Sequence, residues 1–112
     1  GKPLTVYGKG EQTRSFCYVS DLVLGLEKLM NSKYSMPVNI GNPDERTILD
    51  TAKKIISLSN SDSKIVYKPL PKDDPYRRKP DISIAKKELS WQPAIGFEKG
   101  LQTTIEWFKQ NP

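Results

Sequence analysis

Four prolines, Pro69, Pro71, Pro75 and Pro80, limit what the second half of this chain can fold into. Proline fixes φ near about −65° and has no N–H to donate, so this stretch predicts an irregular, stiff surface segment. Long ordered loops in small domains usually carry function, and residues 73–81 of this one read DDPYRRKPD. Two interpretations stay open from these residues: three successive cations capture an anion, or acids and bases pair with each other at the surface.

Apolar side chains at helical spacing predict regular elements on both sides of this loop. One helix is predicted after Ser20-Asp21, which offers an N-cap, and a second after Thr47, which forms a capping-box-like arrangement with Asp50. Short strands are predicted at residues 3–7, 15–19, 38–40 and 64–70, and two further helices at residues 82–89 and from Phe97 onwards. The predicted order is β-β-α-β-α-β-loop-α-α, with Trp91 and Trp107 as core anchors. Short strands scattered between helices, with a long loop, are typical of a cap on a larger protein.

Composition excludes several classes of function. The net charge is +5, but no run of five like charges occurs, so a nucleic-acid partner is not expected. With no histidine and Cys17 as the single cysteine, the chain has neither an internal disulfide nor a metal site of the usual kind. No apolar stretch approaches the roughly 20 residues that span a bilayer, so no membrane contact is expected from this segment.

A glycine-rich stretch, GKGEQTR at residues 8–14, is a second candidate for anion binding. Glycines let backbone N–H groups approach a phosphate, and the guanidinium of Arg14 matches phosphate oxygens in pairs. A hairpin turn with a solvated arginine is the alternative. Neither a G-x-G-x-x-G fingerprint nor a Tyr-x-x-x-Lys pair occurs, so no residue of this chain is assigned to cofactor binding.

Four segments together resemble landmarks of one family, in the same order along the chain. They are PLTVYG with QTRSFCYVSDLV (residues 3–8 and 12–23), PVNIGNP (37–43), DDPYRRKPDI (73–82) and LSWQP (89–93). This order resembles extended short-chain dehydrogenases that act on nucleotide sugars. The sequences QTRSFCYVSDLV and DDPYRRKPD are together similar to UDP-glucuronate decarboxylases (UDP-xylose synthases) in particular.

The resemblance implies a fold and a place in a larger enzyme. Residues 1–112 would be the C-terminal nucleotide-sugar-binding region of an NAD-dependent epimerase/dehydratase-type enzyme. That region is an α/β fragment, a small mixed α+β subdomain that caps a Rossmann-type domain. NAD would be held by the Rossmann half, which this chain lacks, so the chain alone is expected to be inactive. The full-length enzyme would be a cytoplasmic homodimer that converts UDP-glucuronate to UDP-xylose and CO2, or would lie in a secretory lumen if an anchor precedes it.

The resemblance also implies roles for individual residues. Residues of the first strand, Thr5, Val6 and Tyr7, would line the nucleotide pocket. Gln12 and Arg14, in the following loop, would meet the ribose and the pyrophosphate. Asn39 would help to hold the nucleotide. Arg78 is the candidate catalytic cation, placed near a phosphate or the glucuronate carboxylate, and Arg77 is a further substrate-binding candidate.

Two other functions remain open from the sequence. The same region occurs in nucleotide-sugar 4,6-dehydratases and 4-epimerases, many of which act on neutral hexoses. The arginines also suit a non-enzymatic module that binds an anionic partner.

Overall fold

A computed structural model of the chain describes residues 1–73 and 75–112. Asp74, part of the DDPYRRKPD segment, lies outside the described residues. The elements are β1 (Leu4–Tyr7), β2 (Thr13–Ser15), α1 (Val19–Met30), β3 (Glu45–Thr47), α2 (Ile48–Ser59), β4 (Ile65–Lys68), α3 (Ser83–Leu89) and α4 (Phe97–Gln110). Their order agrees with the order predicted from the sequence.

The strands form two separate pairs. β1 runs parallel to β4, with Leu4 opposite Ile65, whereas β2 runs antiparallel to β3, with Ser15 opposite Glu45. The prediction of a strand at residues 38–40 was wrong, because the third strand is Glu45–Thr47. Its polar residues show no alternation, and the segment is a strand only because β2 supplies its backbone partners.

A tight turn joins the two pairs and requires glycine. Gly10 has φ 73°, and a Cβ there would lie 2.8 Å from the Cβ of Leu49 and 2.8 Å from Val6 Cγ1. Thr47 caps α2 as predicted, since its hydroxyl accepts a hydrogen bond from the Asp50 N–H at 3.1 Å.

The buried core is small and lies between α1 and α3. Ile82, Ala85, Leu89 and Trp91 form it, with Leu29, Val38 and Ile40 packed against them. Trp91 is 2% exposed, as expected of a core anchor. The same prediction for Trp107 was wrong: it is 57% exposed, where it pairs edge-to-face with Phe108 at 5.0 Å.

Asp21 connects the start of α1 to residues far along the chain. Its buried carboxylate accepts hydrogen bonds from the N–H groups of Ala94 (3.1 Å) and Ile95 (2.9 Å). The indole N–H of Trp91 donates to the Asp21 carbonyl at 3.0 Å. The sequence indicated a helix cap here, but Tyr18 occupies the N-cap position and Asp21 stabilises a tertiary contact instead.

The chain forms a thin layer with one uncovered apolar helix face. It measures 48 × 36 × 18 Å, and its radius of gyration is 16.3 Å, against about 13 Å for a compact domain of this length. Apolar side chains at helical spacing along α1 are exposed: Val19, Leu22, Val23, Leu26 and Met30. Within the described ranges, no helix is long and apolar enough to cross a membrane.

Candidate functional site

The glycine-rich candidate segment, residues 8–14, includes the turn between β1 and β2, and this turn is fixed to the start of α2. The Leu49 N–H donates to Gly10 O at 3.0 Å, and the Ile48 N–H donates to Gln12 O at 2.9 Å. Gln12 is 5% exposed, and its amide nitrogen donates to the Tyr7 carbonyl at 3.2 Å. The side chain of Gln12 therefore holds the turn closed from inside.

The β1 residues predicted to line a nucleotide pocket divide between two faces. Thr5 and Tyr7 are exposed, whereas Val6 is 1% exposed and belongs to the packed interior. Successive side chains of a strand point to opposite faces, so this division follows from the strand itself. Only Thr5 and Tyr7 present side chains at the surface.

The other candidate segment is the proline-rich loop. Its residues 75–81 are called the arginine loop below, and the first four of them lie along β2. The Thr13 N–H donates to Tyr76 O at 2.8 Å, and the Ser15 hydroxyl donates to Arg78 O at 2.8 Å. The Arg14 guanidinium donates through Nη1 to Pro75 O at 2.9 Å and to Thr13 O at 2.6 Å. These contacts bring together two distant segments of the chain: Arg14 and Pro75 are 61 residues apart in the sequence.

Glu45 of β3 is a residue of this region that the sequence analysis missed. Its Oε2 accepts a hydrogen bond from the Thr13 hydroxyl at 2.7 Å and lies 3.3 Å from Nε of Arg77. The hydrogen bond from Thr13 lowers the pKa of Glu45, and the positive charges of Arg77 and Lys79 act in the same direction. No local sequence signal marks this residue, because its partners come from β2 and from the arginine loop.

The two arginines of the loop differ in their surroundings. Arg77 is paired with Glu45, although 71% of its side chain is exposed. Arg78 is exposed, and its side chain forms no ion pair within residues 1–73 and 75–112. Arg78 is thus the more available of the two for an anionic ligand.

Asn39 lies near the far end of the arginine loop. Its side-chain amide donates to the Asp81 carbonyl at 3.3 Å. The Asp81 carboxylate in turn accepts from the Ser83 N–H at 3.0 Å, and hydrogen bonds from Ser83 lower the pKa of Asp81. Asn39 therefore contacts the chain at the point where the loop enters α3.

The chemistry that these residues offer is anion binding. Burial raises the pKa of the Cys17 thiol, and the Asp21 carboxylate adds to the effect, so the thiol is protonated at neutral pH and a poor nucleophile. Among the residues that the structure describes, no three His, Cys, Asp or Glu side chains are grouped to hold a metal ion. The guanidinium groups of the arginines suit phosphate or carboxylate ligands.

Comparison with known sequences shows which proteins this chain is similar to. UDP-glucuronic acid decarboxylase 1 of Danio rerio is 56% identical over 110 residues, which cover 98% of this chain and 26% of that protein. By sequence, the chain is similar to one segment of the UDP-glucuronic acid decarboxylases. UDP-glucuronic acid decarboxylase 4 of Arabidopsis thaliana is 47% identical over 97% of the chain and 25% of its own length. The chain thus spans about a quarter of these decarboxylases, and no family model matches it.

Solved structures with the same fold are nucleotide-sugar enzymes. UDP-glucose 4-epimerase of Thermotoga maritima, solved with UDP-glucose, matches with a TM-score of 0.92 and 30% identity over 97% of this chain and 35% of that one. UDP-glucuronic acid 4-epimerase of Bacillus cereus, solved with UDP-glucuronic acid and NAD, gives 0.88 and 27% identity over 98% and 36%. The predicted fold class, part of an epimerase/dehydratase fold, is confirmed, and so is the resemblance to the decarboxylases.

Proposed function

We propose that residues 1–112 are the nucleotide-sugar-binding region of a UDP-glucuronate decarboxylase that converts UDP-glucuronate to UDP-xylose and CO2. The observation that carries the proposal is the docking of the arginine loop on β2. It brings Arg14 and Arg78 into one region of a chain that is 56% identical to a decarboxylase segment. UDP-glucuronate has two kinds of anionic group, the pyrophosphate and the sugar carboxylate. Arginines in a partly dry site bind such groups strongly and in a fixed orientation.

Each candidate residue has a proposed role that follows from its surroundings. Thr5 and Tyr7, exposed on β1, would contact the nucleotide, while Val6, buried beneath them, would support the strand. Gln12, whose amide closes the turn, would shape the pocket from inside rather than meet the ribose directly. Asn39, beside Asp81, would help to hold the nucleotide, and Arg14 and Arg78 would meet the anionic groups.

The remainder of the enzyme would cover the uncovered face of α1. A layer 18 Å thick with an exposed apolar helix stripe needs a partner to keep that stripe from water. We propose that this partner is the Rossmann half of the same protein, which would also hold NAD. When bound, NAD would supply reversible hydride transfer at C4 of the sugar, the chemistry that lets a carboxylate β to a ketone leave as CO2.

Because none of the proposed cofactor contacts belong to residues 1–112, we expect the isolated chain to bind no NAD. Titration of NAD against Trp fluorescence tests this, and saturable binding would contradict it. The homodimer and the cytoplasmic location implied by the resemblance are proposals for the longer protein. Gel filtration of that protein tests the first.

A product assay on the full-length protein tests the decarboxylase proposal. UDP-glucuronate with catalytic NAD is expected to give a UDP-pentose, lighter than the substrate by CO2. Arg78→Ala is expected to lower kcat/KM by about 10²–10³-fold, as loss of one charged ligand at a developing charge does. Lys109→Ala is the matched control, because Lys109 pairs with Glu106 on the surface of α4. Unchanged UDP-glucuronate would contradict the proposal.

A 4-epimerase or 4,6-dehydratase is the second candidate, because the structural matches include both classes. The dTDP-glucose 4,6-dehydratase of Bacillus anthracis, for instance, matches with a TM-score of 0.90 and 28% identity over 99% of this chain. Turnover of a neutral nucleotide hexose, with UDP-glucuronate left intact, would favour this candidate and limit Arg78 to a phosphate contact.

A further inference from the structure

We propose that Glu45 is a positioning residue that holds the arginine loop in one register on β2, and that it acts through Arg77. Arg77 then serves as a structural cation, and Arg78 is left to meet the anionic ligand. This assignment differs from the substrate-binding role that the resemblance implied for Arg77. Its consequence for catalysis rests on the proposed function, whereas its structural part is tested independently of any activity.

The first step of the argument is the face of the β2–β3 pair that the loop covers. Thr13 and Ser15 are two residues apart on β2, so their side chains share one face, and Glu45 lies directly opposite Ser15 in the ladder. All three side chains contact the loop or each other. Ser15 donates to Arg78 O at 2.8 Å, Thr13 donates to Glu45 at 2.7 Å, and Glu45 pairs with Arg77 at 3.3 Å.

The second step concerns what fixes Arg77. The same carboxylate oxygen of Glu45, Oε2, accepts the hydrogen bond from the Thr13 hydroxyl and pairs with Nε of Arg77. The Glu45 side chain is only 20% exposed. Isolated surface ion pairs contribute little, because mobile side chains lose entropy when they pair. Here the carboxylate is already oriented by a strand and by a hydroxyl before the cation binds, so less entropy is lost on pairing.

The third step connects Arg77 to Arg78. Main-chain carbonyls of the loop on both sides of Arg77, those of Tyr76 and Arg78, are bound by β2. With the backbone held there and the Arg77 side chain held by Glu45, the main chain of Arg78 has one position relative to β2. Arg78, which forms no ion pair within the described ranges, is thereby presented to a ligand from a fixed point of the backbone.

Glu45→Gln in the full-length protein tests the proposal. The amide oxygen of Gln still accepts the Thr13 hydrogen bond, so the substitution mainly removes the charge that holds Arg77. We expect KM for UDP-glucuronate to rise about tenfold while kcat changes less than about threefold, because fewer molecules have the loop in its binding-competent arrangement. Arg77→Ala is expected to have the same effect, and the double variant no more than either single one.

Two further variants sharpen this comparison. Asp44→Asn is the matched control, since Asp44, the residue before Glu45, pairs with Arg46 at 2.9 Å, and among the described residues no hydrogen bond or ion pair joins its side chain to the arginine loop. It is expected to leave KM within about twofold of the wild type. Arg77→Lys keeps the cation and should recover part of the lost affinity. Arg77 is 71% exposed, so its variants report on the loop even if Glu45→Gln folds poorly.

Tryptic cleavage after Arg78 gives a readout that needs no activity. Native-state proteolysis follows local opening, so Glu45→Gln and Arg77→Ala should accelerate this cleavage about tenfold, and Asp44→Asn should not. Accelerated cleavage in a protein that does not turn over UDP-glucuronate would uphold the positioning role and refute only the proposed function. An unchanged cleavage rate would overturn the positioning role, whether or not KM rises. Additive effects of Glu45→Gln and Arg77→Ala in the double variant would show that Glu45 does not act through Arg77.

Discussion

Asp21→Asn should destabilise the chain more than any ordinary change at a surface carboxylate. The Asp21 side chain is 5% exposed and accepts two backbone N–H groups, from Ala94 at 3.1 Å and Ile95 at 2.9 Å. A hydrogen bond to a charged group contributes about 1.5–3 kcal/mol, and asparagine would keep one neutral acceptor worth about 1 kcal/mol. It would also turn an NH2 group towards one of the two N–H donors. The expected loss in the free energy of unfolding is therefore about 2–5 kcal/mol.

Urea denaturation, followed by the fluorescence of Trp91, measures this loss. Trp107→Phe provides a background in which Trp91 is the one indole, since the chain has two tryptophans. With a slope of about 1.5–2 kcal/mol per molar urea, the midpoint should fall by about 1–3 M. Asp62→Asn, at an exposed position, is the control and should change stability by less than about 0.5 kcal/mol. A shift for Asp21→Asn as small as that of Asp62→Asn would refute the assignment of Asp21 as a tertiary connection.

Three other predictions concern backbone geometry and charge. Gly25→Ala should cost about 1–3 kcal/mol in thermal unfolding, because its Cβ would lie 2.6 Å from Ile40 Cγ2; Gly96→Ala, with nothing within 4 Å of its Cβ, is the control. Ser90→Gly should raise stability by roughly 0.5–1 kcal/mol in urea titrations, because Ser90 has φ 50° in the left-handed region, and no gain would contradict this. The pKa of Glu45 is lowered on folding, so its stabilisation is complete above the unfolded-state value of about 4.3 and is lost as pH falls through the folded-state pKa. Acid unfolding of the wild type and Glu45→Gln should accordingly converge at low pH, and a constant difference would contradict it.

Local patterns were sufficient to predict the helices and their order. The stripe that begins at Ile48 and the cap at Thr47 are encoded within a few residues, and the structure confirms both. Trp91 was correctly predicted to be buried because the apolar helix before it supplies a core. Trp107 follows a similar stripe, yet it lies on the exposed side of α4, since periodicity alone did not fix which residues of that last turn face inwards.

Long-range contacts account for what the sequence could not predict. β3 is formed by polar residues whose only reason to be extended is the partner strand β2, and so the strand was expected several residues too early. Glu45 was missed for the same reason, since its partners Thr13 and Arg77 are each about thirty residues away in opposite directions. Asp21 looked like an ordinary helix cap until residues 94 and 95 supplied its donors.

The contact between Asp21 and Ile95 also sets an order of events during synthesis. The two residues are separated by 74 positions, which a ribosome takes about 4–15 s to translate at about 5–20 residues per second. The same delay separates their emergence from the ribosome, so for most of it α1 is outside without the loop that fixes its first turn and without Trp91, and its apolar side chains are accessible to chaperones or to other nascent chains. A substitution that weakens α1 alone should therefore lower the yield of folded protein in cells more than its effect on equilibrium stability suggests.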